Sequence, residues 1–250
     1  MDMKQDWLKA IEVRTSRRTY NGEPIEPQAA GRLRLLVEDC NAEGGLNIRF
    51  VEDGADLFRS LKSGMIRGVP SYFALAAEIN LPHRLEKIGY YGELLALECT
   101  ALGLGTCWIS GTYDKSGCQK MIGLRGGEEL SGIITVGYVN PEKTLKEKTM
   151  SLVSKKRKPV EQWITPSQGL PDWVENGVQA AGKAPSAMNG QPVRFAFENG
   201  AVTASVEKPS SYQGMDLGIA MAHFELGAWG AGCPGKWRLE NDRYQFSYSK

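Results

Sequence analysis

The chain has 250 residues, 42% hydrophobic and 24% charged, enough to bury a substantial core as one large domain or two fused halves. Its net charge of +1 gives no general basis for binding nucleic acid, no apolar run is long enough to span a membrane, and the acidic start Met1-Asp-Met-Lys4 does not read as a signal peptide. The five cysteines lack metal-knuckle spacing and the only histidines are His83 and His223, which argues for free thiols in the cytoplasm and against a zinc site.

Asp6 to Val13 is predicted as a short amphipathic helix with Trp7, Leu8, Ile11 and Val13 inward. It leads into a basic turn, Arg14-Thr-Ser-Arg-Arg-Thr-Tyr20. Pro24 and Pro27 punctuate the next segment, and Gln28 to Cys40 reads as a helix with Leu33, Leu36 and Val37 as its core stripe. Asn47 to Val51 and Pro70 to Ala77 are strand candidates. Tyr90 to Leu102 is a long buried helix, left by Gly105 to Ile109. Leu130 to Tyr138 is a buried strand stopped by Asn140-Pro141, and the lysine-rich stretch Lys143 to Lys158 crosses the surface. Beyond Trp163, Pro171 to Ala181 is a helix, Val193 to Phe197 and Ala201 to Val206 make a hairpin around Asn199-Gly200, and Met215 to Leu226 is another buried helix. Lys236 to Tyr248 reads as a terminal hairpin. This order predicts an α+β fold, with mainly antiparallel sheets flanked by helices.

Two stretches recur in the same order. Gly92 to Gly105 and Gly214 to Gly227 are both glycine-bracketed apolar helices ending in Leu-Gly near a tryptophan. Upstream, Asn47-Ile-Arg-Phe-Val-Glu-Asp-Gly54 has a counterpart in Pro192-Val-Arg-Phe-Ala-Phe-Glu-Asn-Gly200. The pair predicts an internal duplication that mimics a symmetric dimer, with halves at 1–162 and 163–250 and the second shortened. Glycines cost helix propensity, so they imply another backbone packed close against these helices. Tyr90 to Leu102 and Gly214 to Leu226 are expected to face one another.

Two polar segments carry the chemistry. In an extended segment, alternation turns Arg14, Ser16 and Arg18 to one side and Arg17 to the other. Two guanidinium forks and a hydroxyl suit one phosphomonoester; the competing reading is a solvated basic patch. In Ala184-Pro-Ser-Ala-Met-Asn-Gly-Gln-Pro-Val193, two prolines fix the backbone while Ser186, Asn189 and Gln191 offer groups that donate and accept. That set matches a heteroaromatic ring with alternating carbonyl and nitrogen atoms, or else a turn satisfying its own backbone.

Taken together with Tyr91-Gly92, Ala101 to Trp108 and Ile134-Thr-Val-Gly-Tyr138, these segments resemble the flavin-dependent nitroreductase family, in particular its tandem-fused subgroup. The resemblance implies an FMN cofactor and a ping-pong transfer of electrons from NAD(P)H to a nitroaromatic, quinone-like or similar acceptor. It assigns the FMN phosphate to Arg14, Ser16 and Arg18, with Lys156 and Arg157 closing over it. Pro185, Ser186 and Asn189 would contact the ring and ribityl chain, and the backbone of Trp108, Ile109, Ser110 and Gly111 would lie near its redox-active edge. No protein nucleophile is implied, because the flavin carries the electrons. Tyr20, Tyr72, Phe73, Trp108 and Met188 are candidates to line the cleft.

The departures from the family pattern are complementary. The first half lacks the proline-serine turn, holding Cys40-Asn-Ala-Glu-Gly-Gly-Leu46 in its place, and the second lacks the basic turn. One flavin per chain follows, in a monomer with a pseudo-dimeric core or in a homodimer. A dinucleotide-binding fold of the other common type is disfavoured, because Gly103-Leu-Gly105 follows a helix instead of preceding one. A flavin-binding or structural protein without catalysis is the alternative function.

Overall fold

A computed structural model describes residues 3–54, 57, 66–111, 113–145, 147–149, 157–166, 168–207 and 212–248. In chain order the elements are α1 (Met3–Val13), α2 (Pro27–Gly44), β1 (Arg49–Val51), β2 (Ser71–Glu78), α3 (Arg84–Ala101), β3 (Gly105–Ile109), α4 (Lys115–Met121) and β4 (Glu128–Gly137). Then come β5 (Ile164–Thr165), α5 (Asp172–Ala181), β6 (Val193–Glu198), β7 (Ala201–Val206), α6 (Gln213–Gly230), β8 (Lys236–Glu240) and β9 (Arg243–Ser247), with 3-10 turns at Val160–Gln162 and Ala187–Asn189. The chain divides into two compact units. One comprises Val13–Arg84 and Leu95–Val153, the other Met1–Glu12, Leu85–Leu94 and Ser154–Lys250. The sequence reading cut only once, after residue 162. In the compact units two earlier segments group with the C-terminal part.

In the unit of Val13–Arg84 and Leu95–Val153, an antiparallel sheet runs in the order β1-β2-β4-β3. Strand β2 is buried on both faces from Ser71 to Ala77, so its sequence is a near-continuous apolar run without alternation. Tyr72 and Ala74 pack with Tyr20, Val69, Cys107, Ile109, Leu130 and Ile133 in the core beside it. Helix α2 buries Leu33, Leu36 and Val37, as its spacing predicts. Pro27 sits in its first turn, where the missing N–H is not needed, and Gly45 ends it in a left-handed conformation. Helix α4 was missed because it is short and contains Gly117. Its start is set by Asp114, whose carboxylate accepts a hydrogen bond from Gly117 N–H at 2.9 Å.

In the other unit the sheet order is β5-β6-β7-β9-β8, parallel only between β5 and β6. Both of its hairpins turn on left-handed pairs, Asn199-Gly200 and Asn241-Asp242, which match the twist of two-residue loops. Helix α6 is buried from Met215 to Ala228, which is why it carries no amphipathic stripe. Its Phe224 stacks on Phe195 at 5.1 Å and meets Phe246 and Trp237 edge-on at 5.2 and 5.3 Å. Truncating a ring so placed costs about 3–5 kcal/mol. His223, also on α6, is fully buried, with Nδ1 3.1 Å from the Ala180 carbonyl and Nε2 2.9 Å from Glu93 Oε1.

The helix glycines have a direct cause. A Cβ on Gly218 would lie 1.9 Å from the Glu86 carbonyl oxygen, and one on Gly89 would lie 2.1 Å from that of Met215. Backbone therefore meets backbone where α6 crosses the Leu85–Leu94 part of α3. The crossing falls at Glu86–Tyr90, a turn ahead of the expected Tyr90–Leu102 face. A second correction concerns α1, which buries Trp7, Ala10 and Ile11. Val13, expected inward, is 71% exposed because the helix ends there, and Leu8 is half-buried. No helix among the described residues is long and apolar enough to cross a membrane, and all five cysteines are free and buried.

Candidate functional site

The basic turn is extended chain laid beside β3. Ser16 bridges Thr106 in parallel, and Arg17 N–H donates to the Thr106 carbonyl at 2.8 Å. Extended backbone sends successive side chains to opposite sides, and the residues obey. Arg17 is buried, its Nη2 donating to the Asn140 carbonyl at 2.8 Å and its Nε to Glu147 Oε1 at 3.3 Å. Arg14, Ser16 and Arg18 are half-buried, and all three act on the Cys107 thiol. Burial pushes that thiol up; the Arg18 and Arg14 charges and the Ser16 hydroxyl pull it part of the way back. The structure thus gathers Arg14, Ser16 and Arg18 and sets Arg17 apart. Gly105 makes room for the Arg17 stem, since a Cβ there would sit 3.1 Å from Arg17 Cβ and Cγ.

Glu147 shapes this turn. Its Oε1 accepts from the amides of Arg18 at 2.7 Å and Thr19 at 3.3 Å, and its Oε2 from the amide and hydroxyl of Thr144 at 2.9 and 3.1 Å. Burial opposes ionisation, but the Arg18 and Thr144 amides, the Thr144 hydroxyl and Arg17 outweigh it and hold the carboxyl down at about 2. Lys143 Nζ donates to Thr15 Oγ1 at 2.9 Å. Sequence reasoning missed Glu147 and Lys143 because they sit in a lysine-rich stretch that reads as surface. The signal was there in Thr144-Leu-Lys-Glu147, a capping box in which Glu147 N–H also donates to Thr144 Oγ1 at 3.3 Å.

Among the cleft candidates, Tyr20, Tyr72 and Phe73 are core residues. The Tyr20 hydroxyl donates to the Arg17 carbonyl at 2.8 Å and lies 2.7 Å from Thr135 Oγ1, so it braces the turn from within. Of the segment after β3, Trp108 is half-buried, Ile109 is in the core, and Ser110 and Gly111 are exposed.

The second focus, at Pro185–Pro192, belongs to the other unit. Met188, Asn189 and Gln191 all have φ near +50°, at 49°, 51° and 51°, where side chains are strained. Met188 is 93% exposed, whereas Pro185, Ser186 and Asn189 are half-buried. Asn189 N–H donates to the Ser186 carbonyl, and Gly190 N–H to that of Ala187, both at 2.9 Å. Asp216, in the first turn of α6, accepts from Ala187 N–H at 2.9 Å. Burial raises this carboxyl to about 6 although the Ala187 amide favours its charged form. Gln191 supports the turn from within, in line with the alternative that its side chains satisfy their own backbone, whereas Asp216 was missed because nothing local in the sequence marks it.

Arg157 differs from its assigned part over a phosphate. Its guanidinium donates to the carbonyls of Lys183 at 2.8 Å and Ala184 at 3.0 Å, and also to that of Gly182. These carbonyls belong to Gly182, which caps α5, and to the two residues that follow it ahead of Pro185. Lys156 lies outside the described residues.

Solved structures that resemble the chain include the following three. A "putative nitroreductase" from Thermotoga maritima is 24% identical with a TM-score of 0.65, covering 98% of this chain and 94% of its own. An FMN-dependent nitroreductase from Clostridium difficile R20291 is 19% identical, TM-score 0.46, over 54% of this chain and 88% of its own. A nitroreductase family protein from Clostridium difficile 630 is 14% identical, TM-score 0.45, over 59% and 91%. No curated protein matches. The first of the three extends the α+β nitroreductase-like fold over nearly the whole chain. The family described as "Putative TM nitroreductase" matches residues 6–228, and the chain belongs to that family.

Proposed function

We propose that this protein is an FMN-dependent NAD(P)H oxidoreductase acting on a nitroaromatic, quinone-like or similar acceptor. The observation that carries the reading is the segregation of the basic turn. Arg17 is committed to Glu147 and the Asn140 carbonyl, while Arg14, Ser16 and Arg18 all act on the Cys107 thiol. The charges of Glu147 and Arg17 offset one another there, and the guanidinium groups of Arg14 and Arg18 with the Ser16 hydroxyl are donors of the kind that suits a phosphate dianion.

Arg14, Ser16 and Arg18 hold the phosphate. Pro185, Ser186 and Asn189 contact the ring, and the backbone of Trp108, Ile109, Ser110 and Gly111 serves its redox-active edge. Arg157 acts through the chain it clamps ahead of Pro185, which leaves Lys156 for any late phosphate contact. Bound FMN supplies the redox chemistry, accepting two electrons from NAD(P)H and passing them to the acceptor. The protein's own work is to orient the ring, keep one face open and stabilise charge with fixed dipoles. In this reading the chain contains two family-like halves, 1–162 and 163–250, each having kept one of the two turns. One FMN per chain follows, whether the chain acts alone or as a homodimer. The five free thiols fit a reducing cytoplasm.

The test is anaerobic. Purified protein loaded with FMN should retain close to one flavin per chain and bleach on addition of NADH or NADPH, with colour restored by a quinone or nitroaromatic. Two flavins per chain would sink the complementary-halves account. A yellow protein that neither nicotinamide reduces would favour the non-catalytic alternative.

A further inference from the structure

Gln191 holds the most constrained place in the Pro185–Pro192 turn. It is 2% exposed and its φ is +51°, a conformation that persists only where the surroundings enforce it. Every polar group it has is engaged. Its Oε1 accepts from Lys158 N–H at 2.7 Å and its Nε2 donates to the Asn189 carbonyl at 3.2 Å. Its own N–H donates to Ser186 Oγ at 3.0 Å, and its carbonyl accepts from Lys158 Nζ at 3.0 Å and Arg194 Nη1 at 3.1 Å. Two of these bonds end on Ser186 and Asn189, the residues assigned to the ring.

We propose that Gln191 is the positioning residue of the flavin-contacting turn, fixing Ser186 and Asn189 before the ring arrives; the inference rests on the flavin reading above. The hydrogen-bond arithmetic makes it specific. A serine hydroxyl has one proton to give, and the Ser186 oxygen already accepts a main-chain N–H. Ser186 therefore keeps its proton to give to a ring carbonyl or unprotonated nitrogen and one lone pair with which to accept. The Gln191 bond to the Asn189 carbonyl fixes the left-handed backbone that carries the Asn189 amide, which offers both a donor and an acceptor. Preorganisation of this kind removes an ordering cost that binding would otherwise carry.

The test compares Gln191→Leu, which keeps bulk and loses both side-chain contacts, with Gln191→Glu, which keeps the acceptor for Lys158 N–H and loses the donor to Asn189. FMN and riboflavin are titrated against full-length protein, with visible spectra and reduction potentials of the bound flavins, and hydrogen exchange is followed on the flavin-free chain. Gln191→Leu should weaken both ligands alike by about tenfold, shift the spectrum, and raise exchange at 187–191 while leaving α6 protected. Gln191→Glu should fall between it and the native chain. If Gln191→Leu unfolds, exchange rises throughout and Gln191→Glu carries the test. Native affinity, spectrum and potential in the folded variants, with flavin still bound by the unaltered chain, overturn the positioning role and leave the flavin reading standing. An unaltered chain that binds neither flavin overturns both.

Discussion

The two turns are held in opposite ways. The basic turn is organised by a buried carboxylate kept fully ionised, Glu147, which gathers main-chain amides and Arg17. The Pro185 turn centres on a neutral side chain, Gln191, whose carbonyl also takes Lys158 and Arg194, and on Asp216, whose charge the surroundings resist. A charged hub suits the first turn because the chain there is itself basic, and one carboxylate can face Arg17 while accepting amides. Beside a ring that must be read atom by atom, amides and hydroxyls give direction without a net field. The lesson is that a turn's ligand chemistry and its internal scaffolding follow the same electrostatic rule.

The comparison breaks most visibly at Glu147. Glu147→Ala strands a buried guanidinium and several amides, and should destabilise the chain by about 3–5 kcal/mol in urea unfolding. Glu147→Gln should lose less, since its carbonyl oxygen still accepts two of the amides. A loss below about 1 kcal/mol in Glu147→Ala would mean that the turn stands without its hub.

The acids also differ in the sign of their pH response. Glu147 is lowered from 4.5 to about 2, so its stabilisation is full above 4.5 and is lost as pH falls through about 2. Asp216 is raised from 3.8 to about 6, so the fold is favoured below 3.8 and loses that advantage as pH rises through about 6. Asp216→Asn keeps an acceptor for Ala187 N–H and removes the titration. Its stability relative to the native chain should rise by about 2–3 kcal/mol between pH 4 and pH 8, read from denaturant midpoints at both values. A constant difference across that range would show that Asp216 does not titrate in the fold as described.

Ligand binding sharpens the contrast further. Arg18→Ala should weaken FMN roughly tenfold to a hundredfold and leave riboflavin, which has no phosphate, near its native affinity. Equal losses for both ligands would make Arg18 structural. The smallest effect is expected at Asn189→Ala: a loss of a few-fold for both flavins, with a shifted visible spectrum and reduction potential. A native spectrum and potential would exclude the ring contact.

Much of the fold was legible because it rests on local signals. The stripe at Leu33, Leu36 and Val37, the Asn199-Gly200 turn and the glycines of the buried helices each have one physical cause, and each proved to have it. The alternation of Arg14, Ser16 and Arg18 against Arg17 was readable for the same reason. What escaped was what distant segments supply. Glu147 reaches Arg18 across most of one unit, and Asp216 reaches Ala187 from another helix. The end of α1 at Val13 was read correctly, but the Val13 side chain was expected inward and is exposed. The main-chain partners of Arg157 were not readable from the sequence. A guanidinium fits a row of main-chain carbonyls as well as it fits a phosphate.

The contact between Gly218 and the Glu86 carbonyl has a mechanical consequence. A side chain that clashes can rotate; a main-chain carbonyl in a helix cannot, so any added carbon at 218 must move a whole helix as a rigid body. Asp216 lies two residues earlier on that helix, about 3 Å along its axis, and its carboxylate is bonded to Ala187. The glycine contact therefore works as a stop against which the helix is seated, and the Pro185 turn takes its height from that stop. A methyl group at 218 would press on Glu86 and, through Asp216, displace Ala187.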